Sequence, residues 1–227
     1  MRRLFSLGFA TALVALAGFA QAQQIDVAGS GSTVWSSKNP TAQQGFLPPA
    51  LRGGTYPGAN VQYMWSDREG ILFEGSFRYH RDYYNGYQAF RPMFFDLNGV
   101  RSWVLPRKIT LDAMAGPGME SLVFYNDYYG CGNGSAGCST HLNSNHFLLH
   151  AGFGLRYYFF RNFFVRPEAH YNYIFNNYQF HSDNVFRIGA SVGYTWGKRA
   201  DRPGKPRKPV PAQPAPAQPP AAGAEQK

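Results

Sequence analysis

Two things are missing from this 227-residue chain, and each absence narrows its class. After residue 22 no apolar run is long enough to cross a bilayer as a helix, which takes about 20 predominantly apolar residues. That excludes a helical membrane protein but leaves export open to a chain made only of strands. Cysteine is nearly absent: Cys131 and Cys138 are the only two. None follows the small-residue segment at Ala20-Gln21-Ala22, so lipid attachment at a processed N-terminal cysteine is not indicated. With His141 as the nearby histidine, the two cysteines also fall short of a full zinc ligand set. Positive charge is scarce where a nucleic acid would need it. Of the formal +9, Arg2 and Arg3 carry two, and seven Lys and Arg against Asp201 and Glu225 give +5 after Gly197, leaving +2 for the region between. The basic balance describes a tail, and a nucleic-acid partner is not expected.

What is present begins with an address. Met1-Arg2-Arg3 is basic, residues 4–19 are rich in Ala and Leu, and Ala-Gln-Ala closes the segment. This is the pattern of a secretory signal peptide over residues 1–22, cut after Ala22. Aromatic residues make up 17% of a chain whose mean hydropathy is only −0.36. Such averages fit a two-faced sequence, greasy on one side and polar on the other.

The two faces are clearest over residues 145–196. Phe147, Leu149, Ala151, Phe153, Leu155, Tyr157 and Phe159 share one parity, and His146, His150, Gly152, Gly154 and Arg156 the other. The next run sets Phe163, Val165, Ala169, Tyr171, Tyr173 and Phe175 against Arg166, Glu168, His170 and Asn172. The third sets Phe186, Ile188, Ala190, Val192, Tyr194 and Trp196 against Arg187, Gly189, Ser191, Gly193 and Thr195. A period of two means strands. Each run is about twice the usual 5–6 residues of a soluble strand and matches the 9–11 tilted residues of a membrane-spanning one. Aromatics near the strand ends and polar or small residues on the opposite face complete the description of a transmembrane barrel. A soluble secreted β-protein is the alternative, in which the aromatic faces pack internally or on another chain.

Five earlier strands are expected at residues 25–35, 53–66, 71–80, 87–97 and 107–116, with Pro92 weakening the fourth. Together with the last three they make eight, an all-β, eight-stranded antiparallel up-and-down barrel over residues 23–197. Connections alternate in length, as in barrels with short periplasmic turns and longer external loops. Residues 36–51, 81–86, 117–144 and 176–183 then lie outside, and the 99–106 turn is the one longer than the rule prefers.

The signal peptide, the strand and loop rhythm and the final Val185-Phe-Arg-Ile-Gly-Ala-Ser-Val-Gly-Tyr-Thr-Trp196 strand resemble the small outer-membrane β-barrel family, OmpA-like and OmpX-like. The resemblance implies location in the bacterial outer membrane among its lipids. It also implies that the aromatic-ended last strand, Tyr194 and Trp196 included, is an assembly signal read by the barrel-assembly machinery. Residues 198–227 resemble the Pro/Ala linker behind an OmpA-type barrel, expected to be a disordered periplasmic tail. No peptidoglycan-binding domain follows it in this sequence, so wall contact by the cationic tail stands only as an expectation.

Several clusters bear on chemistry. Cys131 and Cys138 bracket a Gly-rich hexapeptide in an exported protein, which favours a disulfide at a loop tip. Glu74, Arg78, His146, His150, Arg156, Arg166, Glu168, His170 and Arg187 all fall on polar faces and are expected to form a network filling the lumen. Some barrels of this size modify lipid A with a His and Ser pair at the rim, but His170-Tyr171-Asn172 lacks the serine two residues on. No catalytic residue, cofactor or metal is therefore expected. Eight strands leave an interior that side chains fill, so a wide pore is not expected either. The expected role is structural or adhesive. Tyr83, Tyr84, Tyr128, Tyr129 and Tyr178 give the external loops an aromatic character suited to a protein or glycan partner, or to the bilayer edge.

Overall fold

The structure, a computed structural model, describes residues 24–36, 51–84, 88–125, 141–177, 179–180, 183–197 and 199. Nine strands run β1 Gln24–Ser36, β2 Tyr56–Met64, β3 Glu69–Phe77, β4 Asp82–Tyr84, β5 Gln88–Leu105, β6 Ile109–Tyr125, β7 His141–Phe160, β8 Phe163–Ile174 and β9 Asn184–Gly197. Every pairing is antiparallel. β1 bonds β2 on one side and β9 on the other, and β3 bonds β5, so eight strands close on themselves. β4 is a short extra rung that pairs only with the start of β5. Closure leaves the eight barrel strands no open edge, which is the condition for a sheet to sit in hydrocarbon. No helix among the described residues is long and apolar enough to cross a membrane.

The alternation translates directly into two surfaces. On β7, Phe147, Leu149, Phe153, Leu155, Tyr157 and Phe159 are exposed while His146, Leu148, His150, Arg156 and Tyr158 are buried. The same parity holds for Val61 against Asn60 and Gln62, and for Ile188 and Val192 against Arg187 and Ser191. The outside is therefore apolar and the inside carries the charge. Aromatic rings gather at both ends of this belt. Trp65, Trp103, Tyr157, Phe159, Phe160, Phe163 and Trp196 stand near the short turns, and Trp35, Phe77, Tyr79, Phe175 and Phe186 near the other end.

Several expected boundaries move: the strands expected at 53–66 and 71–80 span Tyr56–Met64 and Glu69–Phe77. The fourth expected strand, 87–97, is longer and runs to Leu105 as β5, through residues expected to turn. Gly99 and Arg101 look like turn residues, but Asn98, Val100 and Ser102 continue the buried parity. The turn shrinks to Pro106-Arg107-Lys108, with Arg107 and Lys108 at φ 63° and 64°. All turns on this side are now short, so the one exception to the length rule disappears. The fifth strand passes Gly116 and continues to Tyr125, through Pro117. Pro117 has no N–H to donate, and the β5–β6 ladder is interrupted there without a change of register. β7 begins at His141, before the expected 145, and β4 lies inside the expected 81–86 loop.

The turn between β2 and β3 shows how sequence sets a connection. Ser66 Oγ accepts hydrogen bonds from the backbone N–H groups of Arg68 (3.2 Å) and Glu69 (2.8 Å). A serine hydroxyl that satisfies its own turn amides is a local device needing no tertiary support.

Candidate functional site

The side chains inside the barrel form layers, beginning at the floor beside the short turns. Ala28, Tyr158 and Phe164 pack together there. Tyr158 Oη lies 3.2 Å from Thr195 Oγ1, and the Arg199 guanidinium sits 3.7 Å above the Tyr158 ring. Arg199 also donates to the carbonyl of Arg161 in the last tight turn.

Above the floor, Arg156 on β7 crosses the barrel. Nη1 meets Asp26 Oδ2 on β1 at 2.6 Å, and Nη2 meets Gln62 Oε1 on β2 at 2.9 Å and Asp112 Oδ2 on β6 at 2.7 Å. Ser102 donates to the other Asp112 oxygen at 2.6 Å. Arg166 reaches the same Gln62 oxygen at 3.1 Å and holds Glu168 at 3.0 Å. Gly154 makes room for it: a Cβ there would stand 2.8 Å from Arg166 Cδ. Two arginines and their partners thus bond strands from opposite walls, which pairs the charges of this layer, as burial requires.

The third layer joins histidines to a second arginine group. His150 Nδ1 lies 2.7 Å from Asn98 Oδ1, and His150 Nε2 lies 2.8 Å from His170 Nδ1. His170 Nε2 is 3.7 Å from Glu168 Oε1. Arg187 on β9 contacts Glu74 Oε1 at 2.5 Å, Ser76 Oγ at 2.7 Å and Asp96 Oδ2 at 3.7 Å. Seven of the nine expected network residues therefore meet in these two layers. The other two do not. Arg78 lies past the end of β3, where its Nη1 contacts Asp82 at 2.5 Å at the end of the barrel away from the short turns. His146 bonds Ser144 Oγ at 3.0 Å, and Gln179 donates to the same hydroxyl, so its contacts lie near the outer end of β7. One parity along a strand fixes the face but not the height, which is why His146 stands apart from the paired His150 and His170.

The outer end of the lumen was not anticipated. Val34, Leu51, Tyr56, Phe90, Phe94, Leu122, Phe124, Leu148, Ile174, Phe180 and Val185 are buried together as an apolar plug. Tyr84 stands edge-on to Phe90, Phe124 and Phe180, the Phe124 ring centroid at 5.4 Å. Of the loop tyrosines expected to meet a partner, Tyr84 therefore packs inward and Tyr83 is exposed. Tyr128, Tyr129 and Tyr178 lie outside the described residues, as do Cys131, Cys138, residues 1–22 and the tail beyond Arg199. Of the further polar partners, Asp26, Gln62, Asp96 and Asp112 lay on expected strands, whereas Asn98 and Ser102 lay beyond the expected end of the fourth. Their alternation with apolar neighbours was the signal that could have found them.

Glu120 lies inside β6, with cross-strand neighbours Phe94 and His146. It is buried, and neither carboxylate oxygen has a hydrogen-bond partner among the described residues. A desolvated, unbonded carboxylate costs about 1–3 kcal/mol or more. Glu120→Leu is therefore expected to stabilise the barrel by about that amount, read as a higher temperature for the heat-induced mobility shift in SDS. A lower temperature would mean that Glu120 has a stabilising partner.

A closed barrel with an apolar outer belt, aromatic rims and a charged, filled interior is a transmembrane β-barrel. No family model matches the sequence, and no curated protein matches it. Solved structures do match the fold. The N-terminal β-barrel domain of Pseudomonas aeruginosa OprF aligns over 77% of this chain and 98% of its own, at TM-score 0.51 and 12% identity. The outer membrane protein OprG of the same organism aligns over 78% and 97%, at TM-score 0.51 and 12% identity. A major outer membrane protein from Thermus thermophilus aligns over 76% and 99%, at TM-score 0.50 and 8% identity. The fold is that of the small eight-stranded outer-membrane barrels. Tyr194 and Trp196 sit on β9, which closes the barrel against β1 with Trp196 opposite Ile25. Their rings are 4.7 Å apart on the lipid side.

Proposed function

We propose that this chain is an integral protein of the bacterial outer membrane, surrounded by its lipids, whose role is structural or adhesive and is exercised through its external loops. The observation that carries this reading is the filled lumen. Arg156 and Arg187 bridge facing walls, Tyr158 and Phe164 floor the barrel, and the Phe90, Phe94 and Phe124 group plugs its outer end. A barrel packed in this way supports whatever its rim presents. His150 and His170 are buried in the interior and bonded to each other. That placement favours a non-catalytic reading over a lipid-modifying one, whose nucleophile and base would have to meet a lipid at the rim.

The loops are where a partner would be met. β5, β6 and β7 are the longest strands, and they carry the 126–140 segment at their outer end. Its two cysteines would stiffen it if joined, and a protein or glycan is the class of partner that its tyrosines suit. Tyr194 and Trp196, on the closing strand, would serve assembly as a signal for the barrel-assembly machinery. The cationic tail would lie in the periplasm within reach of anionic wall components.

The experiment displays the protein on cells and compares it with a variant lacking 126–140. The wild type is expected to bind glycan- or protein-coated surfaces, and the variant to lose binding while keeping the heat-induced mobility shift. Purified protein in planar bilayers is expected to give no stable conductance steps. Binding that survives the deletion, or steady solute conductance, would overturn the reading.

A further inference from the structure

One group in the lumen is electrostatically incomplete. Among the described strand residues, Asp26, Glu74, Asp96, Asp112, Glu120 and Glu168 are buried carboxylates, against the buried guanidiniums of Arg156, Arg166 and Arg187. Arg78 is engaged by Asp82 at the end away from the short turns, and Arg199 lies over Tyr158 at the floor. Acidic groups thus outnumber guanidiniums where solvent is excluded, and isolated charges there are costly.

The excess points at one atom. Asn98 Oδ1 can only accept, so His150 Nδ1 carries the proton in that 2.7 Å bond. A neutral His150 then accepts through Nε2, so His170 Nδ1 is the donor in the 2.8 Å bond between the rings. The other ring nitrogen of His170 is Nε2. The nitrogen is buried without a hydrogen bond, and it is 3.7 Å from Glu168 Oε1. Glu74 also presents a buried oxygen, Oε2, with no hydrogen bond. Its Oε1 is held by Arg187, and Glu168 Oε2 by Arg166, so each arginine fixes one oxygen of its partner carboxylate. Ligand atoms from Glu74, Glu168 and His170 lie within 4.8 Å of one another. Two carboxylates and an imidazole that converge in this way offer one divalent cation three ligand atoms.

We infer that Glu74, Glu168 and His170 form a binding site for one divalent metal ion of the Zn²⁺ class, bridging the opposite walls β3 and β8. One imidazole and two carboxylates, with a water completing the set, suit Zn²⁺ rather than Mg²⁺ or Ca²⁺, which favour all-oxygen shells. Ligands of a tetrahedral zinc at about 2.0–2.2 Å sit roughly 3.4 Å apart. The side chains therefore close in by about an ångström on binding. The Asn98–His150–His170 chain is the outer-shell support that orients a metal-binding imidazole and fixes its tautomer. Because the lumen is closed at both ends, the ion enters as the barrel closes and then exchanges slowly. Its function is to lock facing walls together.

The test uses the untagged full chain, refolded into detergent with Zn²⁺ present and freed of excess metal by gel filtration. The expected result is about one zinc per chain, unaffected by excess Mg²⁺. Zinc content falls at least about tenfold in His170→Gln and in Glu74→Gln and is unchanged in His146→Gln. His150→Phe, which removes the outer-shell bond, weakens retention against a chelator by about 10–100-fold. If the ligand variants do not fold, wild-type protein refolded with Co²⁺ decides: visible d–d bands of a four- or five-coordinate ion support the site. Wild-type protein that retains no zinc and shows no such bands overturns the inference, as does zinc that persists in both ligand variants. Either failure leaves the membrane barrel and its loops untouched, because neither depends on the ion.

Discussion

Replacing Arg156 with methionine is expected to destabilise the folded barrel by about 3–5 kcal/mol, the cost of breaking a buried ion pair by removing one partner. Three acceptors lose a donor at once: Asp26 at 2.6 Å, Asp112 at 2.7 Å and Gln62 at 2.9 Å. Asp26 keeps a bond from Gln24, and Asp112 keeps one from Ser102 and a distant contact with Arg166 at 3.8 Å. Neither is thereby neutralised, and water cannot readily reach them between the Tyr158–Phe164 floor and the layers above. The methionine preserves much of the stem volume, so the effect isolates the charge. Urea unfolding in lipid vesicles measures it. The control is the triple variant Arg156→Met, Asp26→Asn, Asp112→Asn, expected to recover most of the loss, because removing both sides of a buried pair is far cheaper than removing one. A single variant as stable as the wild type would show that the lumen is wetter than its packing implies.

The pairing of Arg156 with Asp26 also marks the limit of what the sequence reveals. The alternation of Phe147 to Phe159 against His146 to Arg156 gave the strand, its two faces and which one meets lipid. That is information carried by neighbours in sequence. Asp26 is 130 residues from Arg156, and their meeting depends on the tilt and stagger of the strands, which parity does not encode. The same gap splits His146 from His150 and His170. The plug at the outer end was hidden for a different reason. Around Phe90, Phe94, Leu122 and Phe124 both faces of the strands are apolar, so alternation vanishes where the lumen is greasy. Gly99 and Arg101 misled in the opposite direction, reading as a turn although small and cationic residues are tolerated on the outer face close to the bilayer edge. There Arg101 lies 3.9 Å from Glu69.

Phe153→Arg separates a membrane barrel from a soluble one. Phe153 is 62% exposed, with Ala113 and Ala169 as its cross-strand neighbours, so its ring makes little packing inside the protein. In water an arginine at such a site would be harmless, since exposed substitutions away from special features usually stay within about 0.5 kcal/mol. In hydrocarbon near the bilayer midplane it is expected to cost about 2–4 kcal/mol. The matched control is Phe159→Arg, similarly exposed but beside the tight turn at Arg161, where the long side chain reaches the headgroups and the cost drops to about 0–1 kcal/mol. Both are measured as folding equilibria in vesicles, with the heat-induced mobility shift reporting the folded fraction. A large loss at Phe153 with little at Phe159 is the depth profile that only a bilayer imposes. Equal and small effects at the two positions would mean that the aromatic belt faces water or another protein chain, and that the eight strands close around their charges outside any membrane.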